Sequence, residues 1–97
     1  MSDEYPTDAQ LAMLKAWPTT DLRGAFEFAR ALWAYPDYFS SEGRTFSIST
    51  GGWSGNENII GAMQDNLMLW TLCWQESRRG GHYKFEIPVN FDKEPRS

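Results

Sequence analysis

The 97 residues and 11.2 kDa suit one compact domain and leave no room for a second. A content of 41% hydrophobic and 23% charged residues excludes a wholly disordered chain, and a single cysteine excludes an intramolecular disulfide framework. Residues 1–42 hold seven carboxylates against three basic side chains, the whole of the net charge of −4, whereas 43–97 hold six of each sign. That balance disfavours a general nucleic-acid binder, because phosphate neutralisation supplies most of such affinity.

No apolar run approaches the roughly 20 residues that span a bilayer, and the acidic start Met1-Ser-Asp-Glu-Tyr-Pro is unlike a signal peptide. No membrane contact is expected, and the lone thiol suits a reducing, cytoplasmic setting. One histidine makes a histidine-based metal site or a Ser/His/Asp triad a poor bet. No cofactor and no metal are expected.

The chain reads as α-α-β-α-β, with residues 1–6 and 89–97 as loose tails. Thr7-Asp-Ala-Gln10 has the form of a capping box, and Leu11, Leu14 and Trp17 then recur every three residues up to Pro18. Thr19 or Thr20 caps a second helix, with Asp21 in its first turn. Leu22, Ala25, Phe26, Ala29, Leu32 and Trp33 form its apolar face, and Arg23, Glu27 and Arg30 lie opposite.

Residues 36–44 have loop composition. Thr45–Thr50 alternates, with Phe46 and Ile48 inward and Thr45, Ser47 and Ser49 outward. Gly51–Gly55 reads as a turn, and Ser54-Gly-Asn-Glu57 as a second capping box opening one long helix that reaches Glu76 or Arg78. Its C-terminal half is apolar on most sides, which places it between the sheet and the first two helices. Arg78 and Arg79 then complement the helix dipole, and Gly80-Gly81 form a left-handed C-cap. His82–Ile87 alternates, with Tyr83, Phe85 and Ile87 inward and His82, Lys84 and Glu86 outward.

The expected fold is a small α+β domain with a two-stranded sheet packed on a long central helix and two N-terminal helices. Such a sheet is marginal alone and leaves an edge that could take a partner strand or form a homodimer. A helix of roughly 22 residues is about 33 Å long at about 1.5 Å per residue, which puts its two flanking turns at opposite ends and separates Ser54 from His82.

The glycine-rich turn lacks a P-loop lysine and the G-x-G-x-x-G spacing, and Glu57 would repel phosphate, so a structural turn is the better account. Cys73, in an apolar helix half, reads as an inert core thiol. The scattered carboxylates define no acid/base pair, and no enzyme is expected. Partner contacts are expected from Trp53, Ser54 and Asn56 at one turn and from Arg78, Arg79, His82 and Lys84 at the other. Trp53 is either an exposed anchor or a lid folded over the helix.

Gly51-Gly-Trp-Ser-Gly-Asn-Glu57, Leu-Trp-x-x-Cys-Trp and Ser77-Arg-Arg-Gly-Gly-His-Tyr83 together resemble small uncharacterised proteins encoded in tailed bacteriophages and prophages. The resemblance covers about residues 50–87. It implies a bacterial host cytoplasm and an accessory protein that binds a host protein or protein complex, as an anti-CRISPR-like or restriction inhibitor would. Two alternatives stay open: a nucleic-acid-contacting factor using the Arg78–Lys84 turn, and a phage structural or assembly protein.

Overall fold

The computed structural model describes residues 6–34 and 36–91. Within them, helix α1 (Asp8–Lys15) starts at the expected capping box: Gln10 N donates to Thr7 Oγ1 at 3.1 Å and Thr7 N to Gln10 Oε1 at 2.8 Å. Helix α2 (Leu22–Leu32) is capped by Asp21, whose carboxylate accepts from Gly24 N at 3.2 Å, and not by Thr19 or Thr20. Those threonines lie in a preceding 3-10 turn, Thr19–Asp21.

The expected two-stranded sheet on one long helix is overturned, because the sheet has four strands. Strands β1 (Phe39–Glu42), β2 (Thr45–Ser49), β3 (Trp74–Arg78) and β4 (His82–Glu86) pair antiparallel in the order β1-β2-β4-β3. β1 falls where a loop was expected. It pairs with β2 across the short Gly43-Arg44 loop, with Phe39 opposite Ile48 and Glu42 opposite Thr45.

The expected long helix is two helices, α3 (Ser54–Asp65) and α4 (Leu67–Cys73). They part at Asn66, whose backbone leaves the helical region at φ −88° and ψ 89°. Its side chain compensates by accepting from Leu69 N at 3.2 Å, so that Asn66 caps α4. The same amide group donates to Leu14 O at 2.9 Å and Trp17 O at 3.0 Å, satisfying carbonyls at the end of α1. A buried amide that joins three segments outweighs continuation of one helix.

After Cys73 the chain turns into β3, so Arg78 and Arg79 cap no helix. Gly80 and Gly81, both at positive φ, close the β3–β4 hairpin. Nor is α4 sandwiched on most sides, since Leu67 and Met68 are exposed. The expected Ser54–Glu57 box is also absent: Trp53 is the N-cap of α3, with no side-chain cap.

One face of the sheet carries the core. Phe26 of α2 stacks on Phe46 at 4.4 Å and meets Phe85 at 5.3 Å, while Trp70 of α4 meets Phe85 edge-on at 5.3 Å. Arg30 ties α2 to β1, donating to Ser41 Oγ at 2.7 Å and lying 5.1 Å over the Phe39 ring. Of the expected C-terminal tail, Val89–Phe91 forms a 3-10 turn with Phe91 packed on the core, and residues 92–97 lie outside the described part. Of the expected N-terminal tail, only Pro6 is described. Among the described residues no helix is long and apolar enough to cross a membrane.

Candidate functional site

A sheet with helices on one side leaves its other face open, and side-chain alternation decides what that face presents. Phe39, Phe46, Ile48 and Phe85 point into the core, so their neighbours along each strand point out. Across the strands, Ser40 of β1 lies opposite Ser47 of β2, Ser47 opposite Lys84 of β4, and Lys84 opposite Glu76 of β3. The next outward row is Ser49, His82 and Arg78. These two rows form a groove of about 560 Å³, walled on the β1 side by Asp37 and Tyr38 of the 3-10 turn Pro36–Tyr38.

The floor is low. Ser40 donates its hydroxyl to Ser47 O at 3.2 Å, which holds that side chain against the backbone. The far wall carries most of the charge. Arg78 Nε pairs with Glu76 Oε2 at 2.6 Å, on side chains 74% and 43% exposed. At that exposure the pair adds no more than about 1 kcal/mol of stability, and its effect is to orient the guanidinium and occupy Glu76. Lys84 faces Glu76 across the ladder, yet among the described residues it forms no ion pair with it or with another carboxylate. Neither the Lys84 nor the His82 side chain makes a hydrogen bond or ion pair among the described residues.

Three of the seven expected contact residues, Arg78, His82 and Lys84, thus meet in one groove. Arg79 is exposed in the hairpin loop, just beyond it. Ser54 is exposed at the first position of α3. Asn56 is fully buried and presents nothing to a partner: its carbonyl oxygen accepts from Ala34 N at 3.0 Å, and its amide donates to Ala34 O at 3.3 Å and Thr50 O at 3.1 Å. Trp53 is half-buried, with its indole lying over Gly55, which is the lid arrangement.

The separation of the two turns by a 33 Å helix does not occur. With the helix broken at Asn66 and ended at Cys73, β4 returns alongside β2, and Thr50 N donates to Gly81 O at 3.0 Å. The Gly51–Gly55 turn and the Arg79–Gly81 loop are therefore neighbours.

Asp37, Tyr38, Ser40 and Glu76 escaped the sequence reading because residues 36–44 read as loop and residues 74–78 as helix. The Phe39-Ser-Ser-Glu run before a Gly-containing two-residue loop is the hairpin signal that could have revealed β1. Cys73 is fully buried, and burial pushes its thiol up to about 12, so it stays protonated and unreactive at neutral pH. Among the described residues no group of three or more His, Cys, Asp or Glu is placed to hold a metal ion. Comparison with known protein families, curated proteins and solved structures returned no match.

Proposed function

We propose that this protein is a non-enzymatic binding module that engages a host protein through the open face of its sheet. The observation that supports the reading is the groove in which Arg78, His82 and Lys84 converge over a floor of serines. A sheet face that, among the described residues, neither a helix nor a strand covers, with Lys84 unpaired there above small side chains, suits a partner's polar surface. The phage or prophage setting, and the proposed role as inhibitor of a bacterial defence complex, rest on the resemblance of the 50–87 stretch alone.

The test is a pull-down from bacterial lysate with nuclease, comparing the native chain with Ser47→Trp, which fills the groove floor, and Leu67→Ser, which lies outside the groove. The expected result is one stoichiometric protein retained by the native chain and by Leu67→Ser but lost by Ser47→Trp. Equal retention by both variants overturns the assignment of the face.

A second reading, contact with nucleic acid, draws on the same three residues. It expects captured material to disappear with nuclease and binding to weaken steeply with salt.

A further inference from the structure

The groove has a polarity that the proposed partner must match. Its β3–β4 wall bears Arg78, His82 and Lys84, and its opposite wall bears Asp37 and Tyr38. Glu76, the carboxylate nearest to Lys84 in the ladder, is held by Arg78 at 2.6 Å. The Lys84 ammonium and the His82 ring are left as donors without acceptors among the described residues. In a chain of net charge −4, this is a local site for an anion on an otherwise acidic molecule.

We propose that the groove receives an extended peptide segment bearing acidic side chains at alternate positions, with its carboxylates over Lys84 and His82. This rests on the protein-binding reading above and names the chemistry of the partner. Lys84 and His82 are two residues apart on one strand, so their side chains repeat at about 6.5–7 Å. An extended peptide repeats its same-side carboxylates at that spacing, which lets both pair at once. Ser40, Ser47 and Ser49 keep the floor low enough for a backbone to lie against the sheet. The volume of about 560 Å³ falls within the roughly 300–1,000 Å³ usual for ligand sites.

Two observations set a peptide ahead of a nucleic-acid strand. Phe39, Phe46 and Phe85 are buried on the core face and Tyr83 packs against Phe85, so among the described residues the groove presents Tyr38 as its one exposed ring and no row of the stacking platforms that single strands use. Asp37 and Glu76 line the same groove and repel a continuous run of phosphates. A peptide needs carboxylates only over Lys84 and His82, where the Lys84 ammonium offsets Glu76, itself paired with Arg78, and it can carry neutral side chains beside Asp37.

The test is a titration of the isotope-labelled full chain, followed by amide chemical shifts at about 25 mM salt. The probes are an alternating Glu-Thr octapeptide, an alternating Lys-Thr octapeptide and a short oligothymidylate. The expected result is that only the Glu-Thr peptide moves the amides of 47–49 and 82–84. Lys84→Glu should then weaken binding at least tenfold, while Lys15→Glu, outside the groove, leaves it unchanged. Lys84→Gln, which introduces no negative charge, should give an intermediate loss, and the spectrum of each variant reports directly that it is folded. Absence of shifts with the Glu-Thr peptide, equal binding of the Lys-Thr peptide, or preference for the oligothymidylate overturns the proposal. If the acidic peptide fails while Ser47→Trp still abolishes capture of a host protein, only the acidic partner is overturned. If both fail, the face is not the binding surface.

Discussion

The amide of Thr50 donates to the carbonyl of Gly81 at 3.0 Å, joining the end of β2 to the loop that precedes β4. This bond continues the β2–β4 ladder beyond Ser49 and His82 and brings together two turns about 30 residues apart in sequence. It also brings the Thr50 side chain so close to Gly81 that a Cβ there would collide with Oγ1. Thr50 is 1% exposed and its carbonyl accepts from Asn56, so it cannot move aside freely. The groove's upper row, Ser49, His82 and Arg78, is held in place by this junction.

Gly81 and Gly80 both have positive φ, at 81° and 83°, but only Gly81 is crowded. Gly80→Ala would meet nothing nearer than the His82 ring at 3.5 Å. It should cost about 1–2 kcal/mol through the left-handed backbone alone. Gly81→Ala adds the collision with Thr50 and should cost about 1–3 kcal/mol more. Urea titrations of the two variants check this, and equal midpoints would contradict the crowding.

Asn66, like Asn56, makes three side-chain hydrogen bonds in the interior, to Leu14 O, Trp17 O and Leu69 N. Asn66→Ala leaves the α1 carbonyls without these donors and removes the α4 cap. A loss of about 2–4 kcal/mol is expected. Asn66→Asp keeps the acceptor for Leu69 N but places a carboxylate against two carbonyls, and should be at least as damaging. A denaturant midpoint for Asn66→Asp near that of the native chain would contradict this account.

The Cys73 thiol is pushed up to about 12 from an ordinary 9.0 by burial. The folded state therefore keeps its proton above the pH at which the unfolded chain releases it. The associated stability is complete below pH 9 and is lost as pH rises toward 12. Alkaline unfolding of the native chain should therefore be steeper than that of Cys73→Ala over this window. Alkylation of Cys73 at pH 8 should proceed at the rate of global opening, and rapid labelling of the folded chain would refute the burial.

Phe26 touches both central strands, stacking on Phe46 and tilting against Phe85, and is fully buried. Phe26→Ala should cost about 3–5 kcal/mol. Trp74, on edge strand β3, is 42% exposed and stacks on Trp70 at 6.2 Å. Trp74→Ala should cost about 1–2 kcal/mol, since much of its surface already meets water. Thermal unfolding of the pair ranks them, and a larger loss at Trp74 would place the core elsewhere.

Legibility followed how local each determinant is. The Thr7–Gln10 capping box, the apolar face of α2, and the alternation of 45–49 and 82–86 depend on residues a few positions apart, and all appear as read. The outward-facing Ser47, Ser49, His82 and Lys84 were therefore legible as a set of exposed positions. That they share one groove was not, because the groove depends on which strands neighbour which.

Local chemistry also misled, at the α2 cap and the Ser54–Glu57 box as well as over two whole strands. Residues 67–78 carry an apolar content that suits a helix, yet the last five are a strand. Pairing with β4 satisfies their backbone and stacks Trp74 on Trp70, which meets the β4 rings Tyr83 and Phe85 edge-on. At 36–44, serines and a glycine suit a loop, yet β1 forms because β2 offers it an edge and Phe39 fills the space beside Trp33 and Phe46. By itself the sequence determined the α+β class, the start of α1, the inward and outward sides of two strands, and the inert character of Cys73. The tertiary structure decided the four-strand order, the break at Asn66, the burial of Asn56 and the meeting of the two turns. Each of these rests on a hydrogen bond or ring contact between distant residues, and no local pattern encodes which distant groups will meet.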